Sequence, residues 1–347
     1  MRKTVFQACS ADAVALFERA PFVHLAGVGE DGQPILRTLH GLVVGDSLVF
    51  HGATVGEKLE LVGRAVVVTA EEVVARIPSY AIDPERACPA TTYYRAAEVR
   101  GVLERVDDPA EEAALMAAFM RRFQPEGGYA SIPPGGVSLL RVDLRGAVGK
   151  HKLGQNRGPA QLSKVVAFLW RRGDPGDVEA IEALLPFVPT PAFLEAPPGI
   201  TLGIAPTETD AHVVAQLLDE TYWNRGVPRA RRARAQRGST AWIVARSPGG
   251  IVGSVRVVSD GARWAYIADV IVRAEHRGRG IATAMLRAAL DHPRVRDVER
   301  VTLRTIDAMP LYEALGFERE PERPEVCRMQ RVQSSNRCPN RAIGARP

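Results

Sequence analysis

Residues 264–290 constrain the fold more than any other part of the sequence. They run from the apolar stretch "WAYIADVIV" (264–272) through the turn "HRGRG" (276–280) into the amphipathic stretch "IATAMLRAAL" (281–290). This order predicts a buried strand, a glycine loop and a helix. The first N–H groups of a helix have no intrahelical partner, and glycines let a phosphate approach them closely. The stretch therefore predicts an anion site, and a plain glycine turn before a helix is the alternative.

The loop differs from two common phosphate-binding sequences. It lacks the G-x-x-x-x-G-K-S/T pattern of nucleotide hydrolases, and Thr283 stands where G-x-G-x-x-G would have its third glycine. Residues 277–282 ("RGRGIA") instead resemble the acyl-CoA-binding motif Q/R-x-x-G-x-G/A of the GNAT N-acetyltransferases. The stretch "TIDAMPLYEALGFE" (305–318) is similar to the closing motif of that family. The resemblance covers residues 199–331 and implies an α/β fold with a mixed, mostly antiparallel sheet.

The resemblance also implies acetyl-CoA as the acetyl donor and a small-molecule amine as the acceptor. The main chain of Val270 and Val272 would pair with the pantetheine arm as an added strand does. The pyrophosphate would be held by the loop and the first turn of the helix, which comprise Arg277, Gly278, Arg279, Gly280, Ile281, Ala282 and Thr283.

Three side chains are candidates for the proton transfers. An amine with a pKa of about 10.4 is protonated at neutral pH, so a base or a water chain must remove its proton. The resemblance implies that Tyr312 protonates the departing thiolate, and the alternative is a core tyrosine that packs the last helix. Asp269 and Glu275 are the nearby carboxylates and candidate bases, and the alternative is a solvated or capping role.

The segment "RGVPRARRARAQR" (225–237) has six arginines among thirteen residues. Its place after the first helix of this half is where the family shapes its acceptor pocket. A solvated helix face is the favoured interpretation, and an acidic or phosphorylated acceptor is the second. Nucleic-acid binding is not expected, because no aromatic residues alternate with the arginines.

The first half of the sequence is rich in predicted strands. These cover residues 22–28, 34–53, 65–74, 93–106 and 137–152, and the pair Gly45-Asp46 is typical of a hairpin turn. Helical spacing of Ala113 and Met116 predicts a helix over 109–123. About five strands with short turns indicate a small antiparallel barrel.

Two stretches of this half resemble a second family. "APFVHLAGVGEDGQPILRTLHG" and "SLVFHGATVGEKLELV" are similar to the opening of the pyridoxamine 5′-phosphate oxidase-like split β-barrels, of the flavin-nucleotide-binding type related to nitroimidazole resistance. "VGKHKLGQNRG" (148–158) is similar to a lysine- and amide-rich stretch of related FMN-binding proteins. The resemblance covers residues 1–158 and implies bound FMN between two protomers, hence a homodimer through the barrel.

The residues that would hold FMN form two sets. Arg37 and Thr38 lie on a predicted strand, and Lys58 follows Gly56 at a helix start, which suits a terminal phosphate. His51 belongs to the same stretch. The second set could meet the phosphate or the ring edge, or be a polar loop at a domain boundary, and comprises Lys150, Lys152, Gln155, Asn156 and Arg157.

A proline-rich segment separates the two halves. Residues 159–198 predict two helical pieces followed by five prolines from Pro186 to Pro198, which is typical of a linker. The C-terminal domain would begin near residue 199 with a helix over 212–223, strands over 240–260, 264–272 and 300–305, and a helix over 308–317. Residues 332–347 are polar and predict a disordered tail.

Composition indicates the class of protein and the compartment to expect. Hydrophobic side chains make up 46% and charged ones 24% of 347 residues, which is typical of globular domains. No apolar run reaches the roughly 20 residues of a membrane span, and we expect no signal peptide, because polar residues interrupt the apolar stretch near the N-terminus. Neither the histidines nor the widely spaced cysteines form a metal-binding pattern, so we expect no metal and a cytoplasmic protein with reduced Cys9, Cys88, Cys327 and Cys338.

Together these features predict an acetyl-CoA-dependent N-acetyltransferase fused to an FMN-binding domain. Two alternatives follow from the first half. The barrel could be a flavin-dependent oxidoreductase that detoxifies a small molecule, or the chain could be a regulatory protein that senses flavin.

Overall fold

A computed structural model describes residues 4–129, 131, 136–219 and 221–320. The chain forms two compact units, the first ending at Leu303 and the second beginning at Arg304. The predicted tail from residue 332 lies outside the described residues, as do Cys327 and Cys338. Among the residues that the structure describes, no helix has the length and apolar character needed to cross a bilayer.

The N-terminal region has two antiparallel sheets. The six-stranded sheet has the order β1-β10-β7-β6-β2-β3, and the four-stranded sheet has the order β4-β5-β9-β8. The strands are β1 (Gln7–Ala8), β2 (Val23–Val28), β3 (Pro34–Leu39), β4 (Gly41–Val44), β5 (Ser47–Gly52), β6 (Ala65–Ile77), β7 (Thr91–Val102), β8 (Glu104–Arg105), β9 (Ser138–Asp143) and β10 (Val148–Lys152). Helix α1 (Ser10–Arg19) adds Leu16 and Phe17 to the core between the sheets. The predicted antiparallel split barrel is confirmed.

The chain crosses between the two sheets inside stretches that the sequence predicts as single strands. A single residue, His40, separates β3 of the large sheet from β4 of the small one. The turn from Leu144 to Ala147 likewise separates β9 from β10. The prediction of about five strands is therefore wrong, because hydropathy does not mark a sharp bend within an apolar run. The hairpin at Gly45-Asp46 is confirmed, since Val44 pairs with Ser47.

Helix α2 (Pro109–Phe123) has the predicted bounds. The carboxylate of Asp108 caps it by accepting a 2.8 Å hydrogen bond from the N–H of Ala110, and Pro109 occupies the first turn. Its buried face carries Leu115 and Phe119 rather than the predicted Ala113 and Met116. Leu115 and Phe119 pack on apolar side chains of the small sheet, Leu42, Val49 and Leu139.

The segment predicted as helical extension and linker is packed within the first unit. Helices α3 (Pro159–Arg172) and α4 (Asp177–Leu184) lie against each other. The indole Nε1 of Trp170 donates a 2.7 Å hydrogen bond to the carboxylate of Asp291, and a ring of the proline-rich segment, Phe193, stacks on Trp170 at 4.0 Å. The end of α3 is thereby fastened to the C-terminal half of the chain.

The C-terminal half contains a mixed sheet. Strands β11 (Thr201–Gly203), β12 (Ala241–Ser247), β13 (Gly250–Ser259) and β14 (Trp264–Val272) pair antiparallel in that order, and β15 (Arg300–Thr302) pairs parallel with β14. The predicted fold class, a mixed and mostly antiparallel sheet with helices, is confirmed. The helices of this half are α5 (Glu208–Leu217), α6 (Arg229–Arg237), α7 (Ile281–Leu290) and, in the second unit, α8 (Met309–Glu313).

The predicted helix over residues 212–223 is displaced toward the N-terminus. Thr207 and Asp210 form a capping box that starts α5 four residues earlier than predicted. The helix ends at Leu217, and Thr221 precedes a short 3-10 turn, Tyr222–Asn224, that leads the chain toward α6. The apolar spacing marks the buried face of the helix, whereas the polar cap marks where it begins.

The junction between α3 and the C-terminal half buries a histidine. His292 is 2% exposed, and its Nδ1 accepts a hydrogen bond from the N–H of Arg294. Burial, together with nearby Arg294 and Arg296, lowers the pKa of His292 to about 4. The imidazole is therefore neutral in the folded protein at neutral pH.

We predict that this histidine makes folding stability sensitive to acid. The pKa in the folded protein lies below the unfolded value of 6.5, so the contribution is complete above pH 6.5 and is lost as pH falls toward 4. The full loss is about 3 kcal/mol. Urea unfolding of the wild type and of His292→Asn, which keeps an acceptor near Arg294, measures it between pH 7 and 4.5. Equal losses in both proteins would contradict the assignment.

Candidate functional site

The glycine loop after β14 leads directly into α7. Gly278 and Gly280 have φ values of +74° and +78°, the left-handed region that favours glycine. The first hydrogen bond of the helix runs from the N–H of Ala284 to the carbonyl of Gly280. The N–H groups of Ile281, Ala282 and Thr283 precede it and have no intrahelical partner. The predicted anion loop thus presents consecutive backbone donors at a helix N-terminus.

The two arginines of the loop also fasten it to its surroundings. Nε of Arg277 donates a 3.0 Å hydrogen bond to the carbonyl of Val272, at the end of β14. A terminal nitrogen of Arg279 donates to the carbonyl of Pro198, and its other one lies 3.2 Å from Nδ1 of His276. Both arginines are exposed and have further N–H groups, so their charge remains available to an anion beside the loop.

Strand β14 has a bulge three residues before its end. Ser254 pairs with Ile271 and Arg256 pairs with Ala268, so Val255 alone lies opposite Asp269 and Val270. Among the described residues, Asp269 is the one non-glycine with a positive φ, +51°. Such a backbone is strained for most residues, and Asp and Asn tolerate it best.

The outer edge of β14 is open beyond the bulge. In the described part of the chain, β15 pairs with Trp264, Ala265 and Tyr266 of β14 and not with later residues. The N–H of Arg273 donates to Val252 of β13, and backbone groups alternate in direction along a strand. The N–H and carbonyl groups of Val270 and Val272 therefore face the open edge, where an extended ligand can pair with them.

The carboxylate of Asp269 is fully occupied. One oxygen accepts hydrogen bonds from the indole of Trp223 (3.0 Å) and the amide of Asn224 (3.1 Å). The other accepts from the amide of Gln236 (3.2 Å) and from Nε of Arg256 (2.6 Å). A carboxylate has about four acceptor positions, and these four donors occupy them.

These contacts hold Asp269, one of the two candidate bases, in place beside the bulge. Its side chain is 7% exposed and forms an ion pair with Arg256, which is 18% exposed. Taking up a proton would break that pair, so the geometry favours a residue that positions the bulge. Glu275, the other candidate base, is exposed on the 3-10 turn Ala274–His276 and lines a 670 Å³ cavity with His276.

Sequence reasoning missed the donors that surround Asp269. Trp223, Asn224 and Gln236 come from segments before the sheet, and Arg256 comes from a neighbouring strand. The signal available was one charged residue, Arg256, inside the apolar run "GIVGSVRVVS". A charge in a buried strand requires a partner, although the sequence does not show which one.

Helix α6 uses half of the arginines of the basic segment in ion pairs. Arg229 and Arg232 both bind the carboxylate of Asp219, and Arg237 lies 2.8 Å from Glu208. The other three, Arg225, Arg231 and Arg234, form no ion pair with a described residue. The favoured interpretation, a helix face with structural contacts, accounts for the paired half of the segment.

Tyr312 belongs to the second compact unit. It lies in α8, is 8% exposed, and its ring meets that of Phe317 at 6.0 Å in a T-shaped contact. Its carbonyl accepts from the N–H groups of Leu315 and Phe317, which close the end of the helix. Within this unit the tyrosine packs the last helix, as in the alternative that the sequence left open.

Arg37 and Lys58, from the first set of FMN candidates, line one cavity of 460 Å³. Arg37 forms an ion pair with Glu57, and the ammonium of Lys58 donates to the carbonyls of Ala53 and Val55. Thr38 follows Arg37 on β3 and points to the opposite face, because side chains alternate along a strand. The structure thus brings together the two cations but not the threonine.

His51 lies outside that cavity, in an aromatic cluster. Its ring is 4.8 Å from Phe119 and 6.2 Å from His40, which in turn stacks on Phe22. Burial, and to a smaller degree His40, lowers the pKa of His51. The strand alternation that points Phe50 into the core points His51 toward α2 instead.

The second set of FMN candidates lies on and after β10. Lys152 donates a 2.6 Å hydrogen bond to the hydroxyl of Thr91, and the amide of Gln155 bridges the loop by binding His151 and Leu153. Asn156 is exposed, Arg157 is half-buried, and Lys150 lies 5.3 Å from the ring centre of Tyr94. Three strands separate β10 from β3, so one protomer holds the two sets on different parts of its sheet.

The two folds and their sites define a split-barrel domain and an acyltransferase-type domain with an open strand edge. Residues 206–317 match the model of the acetyltransferase (GNAT) family, and residues 10–151 match the pyridoxamine 5′-phosphate oxidase model. The chain thus combines an N-terminal region that matches a pyridoxamine 5′-phosphate oxidase-like domain with a C-terminal region that matches the GNAT family. A search of curated proteins finds no match.

Solved structures resemble one half of the chain or the other. A candidate GNAT acetyltransferase from Xanthomonas campestris pv. campestris is 32% identical over 40% of this chain and 96% of its own, with a TM-score of 0.36. A candidate 5-nitroimidazole antibiotic resistance protein from Bacteroides thetaiotaomicron is 18% identical over 40% of this chain and 82% of its own, with a TM-score of 0.34. An FAD- and heme-binding protein from Mycobacterium smegmatis is 20% identical over 43% and 74%, with a TM-score of 0.38.

We predict that the left-handed backbone of Gly278 is needed for CoA binding. Gly278→Ala adds a methyl group in open space but strains a φ of +74°, which costs about 1 kcal/mol and shifts the loop amides. CoA affinity, measured by calorimetry, should fall about tenfold. Gly261→Ala is the matched control, because its φ is +76° in an equally open turn. Equal CoA affinity in the two variants would contradict the loop assignment.

We predict that Asp269 acts on CoA binding rather than on proton transfer alone. Asp269→Asn tolerates the backbone but loses the ion pair with Arg256, so folding stability should fall by about 3 kcal/mol and CoA affinity should fall with it. The matched control is Asp210→Asn, a buried aspartate paired with Arg246 at the start of α5. If Asp269→Asn binds CoA as the wild type does and loses only turnover, the carboxylate is a base and the positioning role is wrong.

Proposed function

We propose that this protein is an acetyl-CoA-dependent N-acetyltransferase that acts on an amine. The family match supports acetyltransferase activity in general. The observation that carries the finer proposal is the open edge of β14 directly before a loop of consecutive backbone donors. A pantetheine arm and a pyrophosphate require these two features in this order.

The proposed binding mode assigns protein groups to the pyrophosphate and to the pantetheine arm of CoA. The N–H groups of Ile281, Ala282 and Thr283 bind the pyrophosphate, with Arg277 and Arg279 adding charge. The pantetheine arm pairs with main-chain groups of Val270 and Val272. Because the carbonyl of Val272 already accepts from Arg277, the N–H groups on this edge and the carbonyl of Val270 are the available partners. The thioester then lies beside the bulge.

The reaction is direct attack of the free amine on the thioester carbonyl. The nitrogen forms the amide bond, the carbon–sulfur bond breaks, and the thiolate leaves with a proton from a general acid. Tyr312 is the proposed acid, a role that rests on the family resemblance of its helix. Since Asp269 is saturated, Glu275 or a chain of water molecules takes the proton of the ammonium.

Thiol release from acetyl-CoA over a panel of amines tests this proposal. We expect turnover with at least one amine, and Tyr312→Phe should lower kcat at least about a hundredfold, the usual scale of acid catalysis, with CoA affinity unchanged. Tyr129→Phe, an exposed tyrosine of the first half, is the control. Absence of turnover with every amine, together with no rise in Tm on adding CoA, would overturn the proposal.

We further propose that the barrel binds FMN at an interface between two protomers. The cleft of Arg37 and Lys58 suits a phosphate, which would compete with Glu57 for Arg37. The second set, with Lys152, Gln155, Asn156 and Arg157, is three strands away in the same chain, so a partner protomer is the natural source of the other half of the site. A bound flavin would supply hydride or electron transfer, which keeps a detoxifying reductase, or a flavin sensor, as the second candidate function.

Flavin absorbance and FMN titration test the barrel assignment. We expect a yellow dimeric protein, and Lys58→Gln should weaken FMN binding about tenfold through loss of a charge-assisted hydrogen bond. Arg105→Gln, an exposed arginine on β8, is the control. A colourless monomer that takes up no FMN would contradict both the cofactor and the dimer. Oxidation of a nicotinamide donor by the loaded protein would separate a reductase from a sensor.

A further inference from the structure

A cavity of 820 Å³ runs along α7 from the predicted pyrophosphate site. It begins at Gly280 and Thr283 and continues past Arg287 to Asp291, on the face of the helix turned away from the sheet. Its other wall is the end of the segment predicted as a linker, Ala192, Phe193, Glu195, Ala196 and Pro197. The glycine loop therefore opens toward the proline-rich segment as well as toward β14.

A second cleft, of 600 Å³, adjoins this cavity at Phe193. It is lined by residues of α3 and by Tyr80, which follows β6 of the barrel domain. Tyr80 is 64% exposed and meets Phe168 edge-on at 5.6 Å. Phe193 stacks on Trp170 with an interplanar angle of 6°, so the boundary between the two cavities is a flat aromatic surface.

The charges around the paired cavities suit an anion. Lys164 and Arg171 of α3 and Arg287 of α7 are exposed, and none forms an ion pair with a described residue. Of the two acidic residues in the lining, Asp291 accepts a hydrogen bond from Trp170, and Glu195 lies across from Arg287. Three cations against two carboxylates leave the cleft able to neutralise a phosphate.

The spacing along α7 matches the length of the nucleotide end of CoA. Arg287 is six residues beyond Ile281, which is about 9 Å along a helix. The 3′-phosphate and the purine of CoA lie a comparable distance from its pyrophosphate. Aromatic faces bind a purine by stacking.

We propose that the 3′-phosphoadenosine end of CoA binds in these adjoining cavities, with its base against Phe193 and Tyr80 and its phosphate near Lys164, Arg171 and Arg287. This inference rests on the proposed acetyl-CoA dependence. The barrel domain and α3 then supply part of the CoA site, so the fused domain is a component of acetyl-donor recognition. The packing of α3 on Asp291 holds the two walls together.

Calorimetric titration with CoA and with 3′-dephospho-CoA tests the proposal on the full chain. The wild type should prefer CoA at least tenfold, and the double variant Lys164→Gln/Arg171→Gln should lose most of that preference. Tyr80→Ala should weaken both ligands by a similar factor of about five, because it removes stacking and no charge. Arg121→Gln, an exposed arginine on α2, should change neither affinity.

The outcomes separate this proposal from the function on which it rests. If the wild type binds neither ligand, the acetyl-CoA dependence itself is overturned. If CoA binds but dephospho-CoA binds equally well, or if Lys164→Gln/Arg171→Gln keeps the full preference, only the assignment of the cleft is overturned. Retention of the wild-type Tm by each variant shows that lost affinity comes from the cleft rather than from misfolding.

Discussion

The candidate acetyl-transfer site depends on the buried carboxylate of Asp269. Its four donors come from the 3-10 turn Tyr222–Asn224, from α6 and from β13, so one side chain joins three segments to the bulge of β14. The bulge follows three residues after Tyr266, the last residue of β14 that pairs with β15, and the main-chain groups of Val270 face the open edge. The contacts of Asp269 fix the bulge, and the bulge sets the direction in which the open edge of β14 leads into the glycine loop.

Helix α6 also contacts the carboxylate of Asp269. Gln236 reaches Asp269 from the buried face of the helix, while Arg229 and Arg232 hold its start through Asp219. Half of the arginines in the basic segment thus secure the helix that supports the site, in line with the favoured interpretation of a helix face. Arg277 and Arg279 likewise have a structural role, because each donates a hydrogen bond that anchors the loop. Both keep further N–H groups that an anion can bind.

The fusion places its two domains in direct contact through helix α3. Trp170 connects Asp291, Phe193 and the neutral imidazole of His292, so the segment with a linker composition is a packed part of the first unit. The candidate FMN site of the barrel is divided, because its two sets of cationic and amide residues occupy different parts of one sheet. The proposed acetyl-donor site lies within one chain, whereas the proposed FMN site would take its second set of residues from another copy.

Local chemistry was enough to predict several features from the sequence. The hairpin at Gly45-Asp46, the bounds of α2 and the glycine loop before α7 each follow from a few neighbouring residues. The number of barrel strands, the start of α5 and the contacts of Asp269 did not follow. A bend between two sheets does not change the hydropathy pattern of the sequence. A carboxylate in an apolar strand gives the same sequence pattern whether or not donors bind it in the fold. Whether Asp269 can take a proton depends on donors that are 13 to 46 residues away in the chain and become neighbours only in the folded sheet.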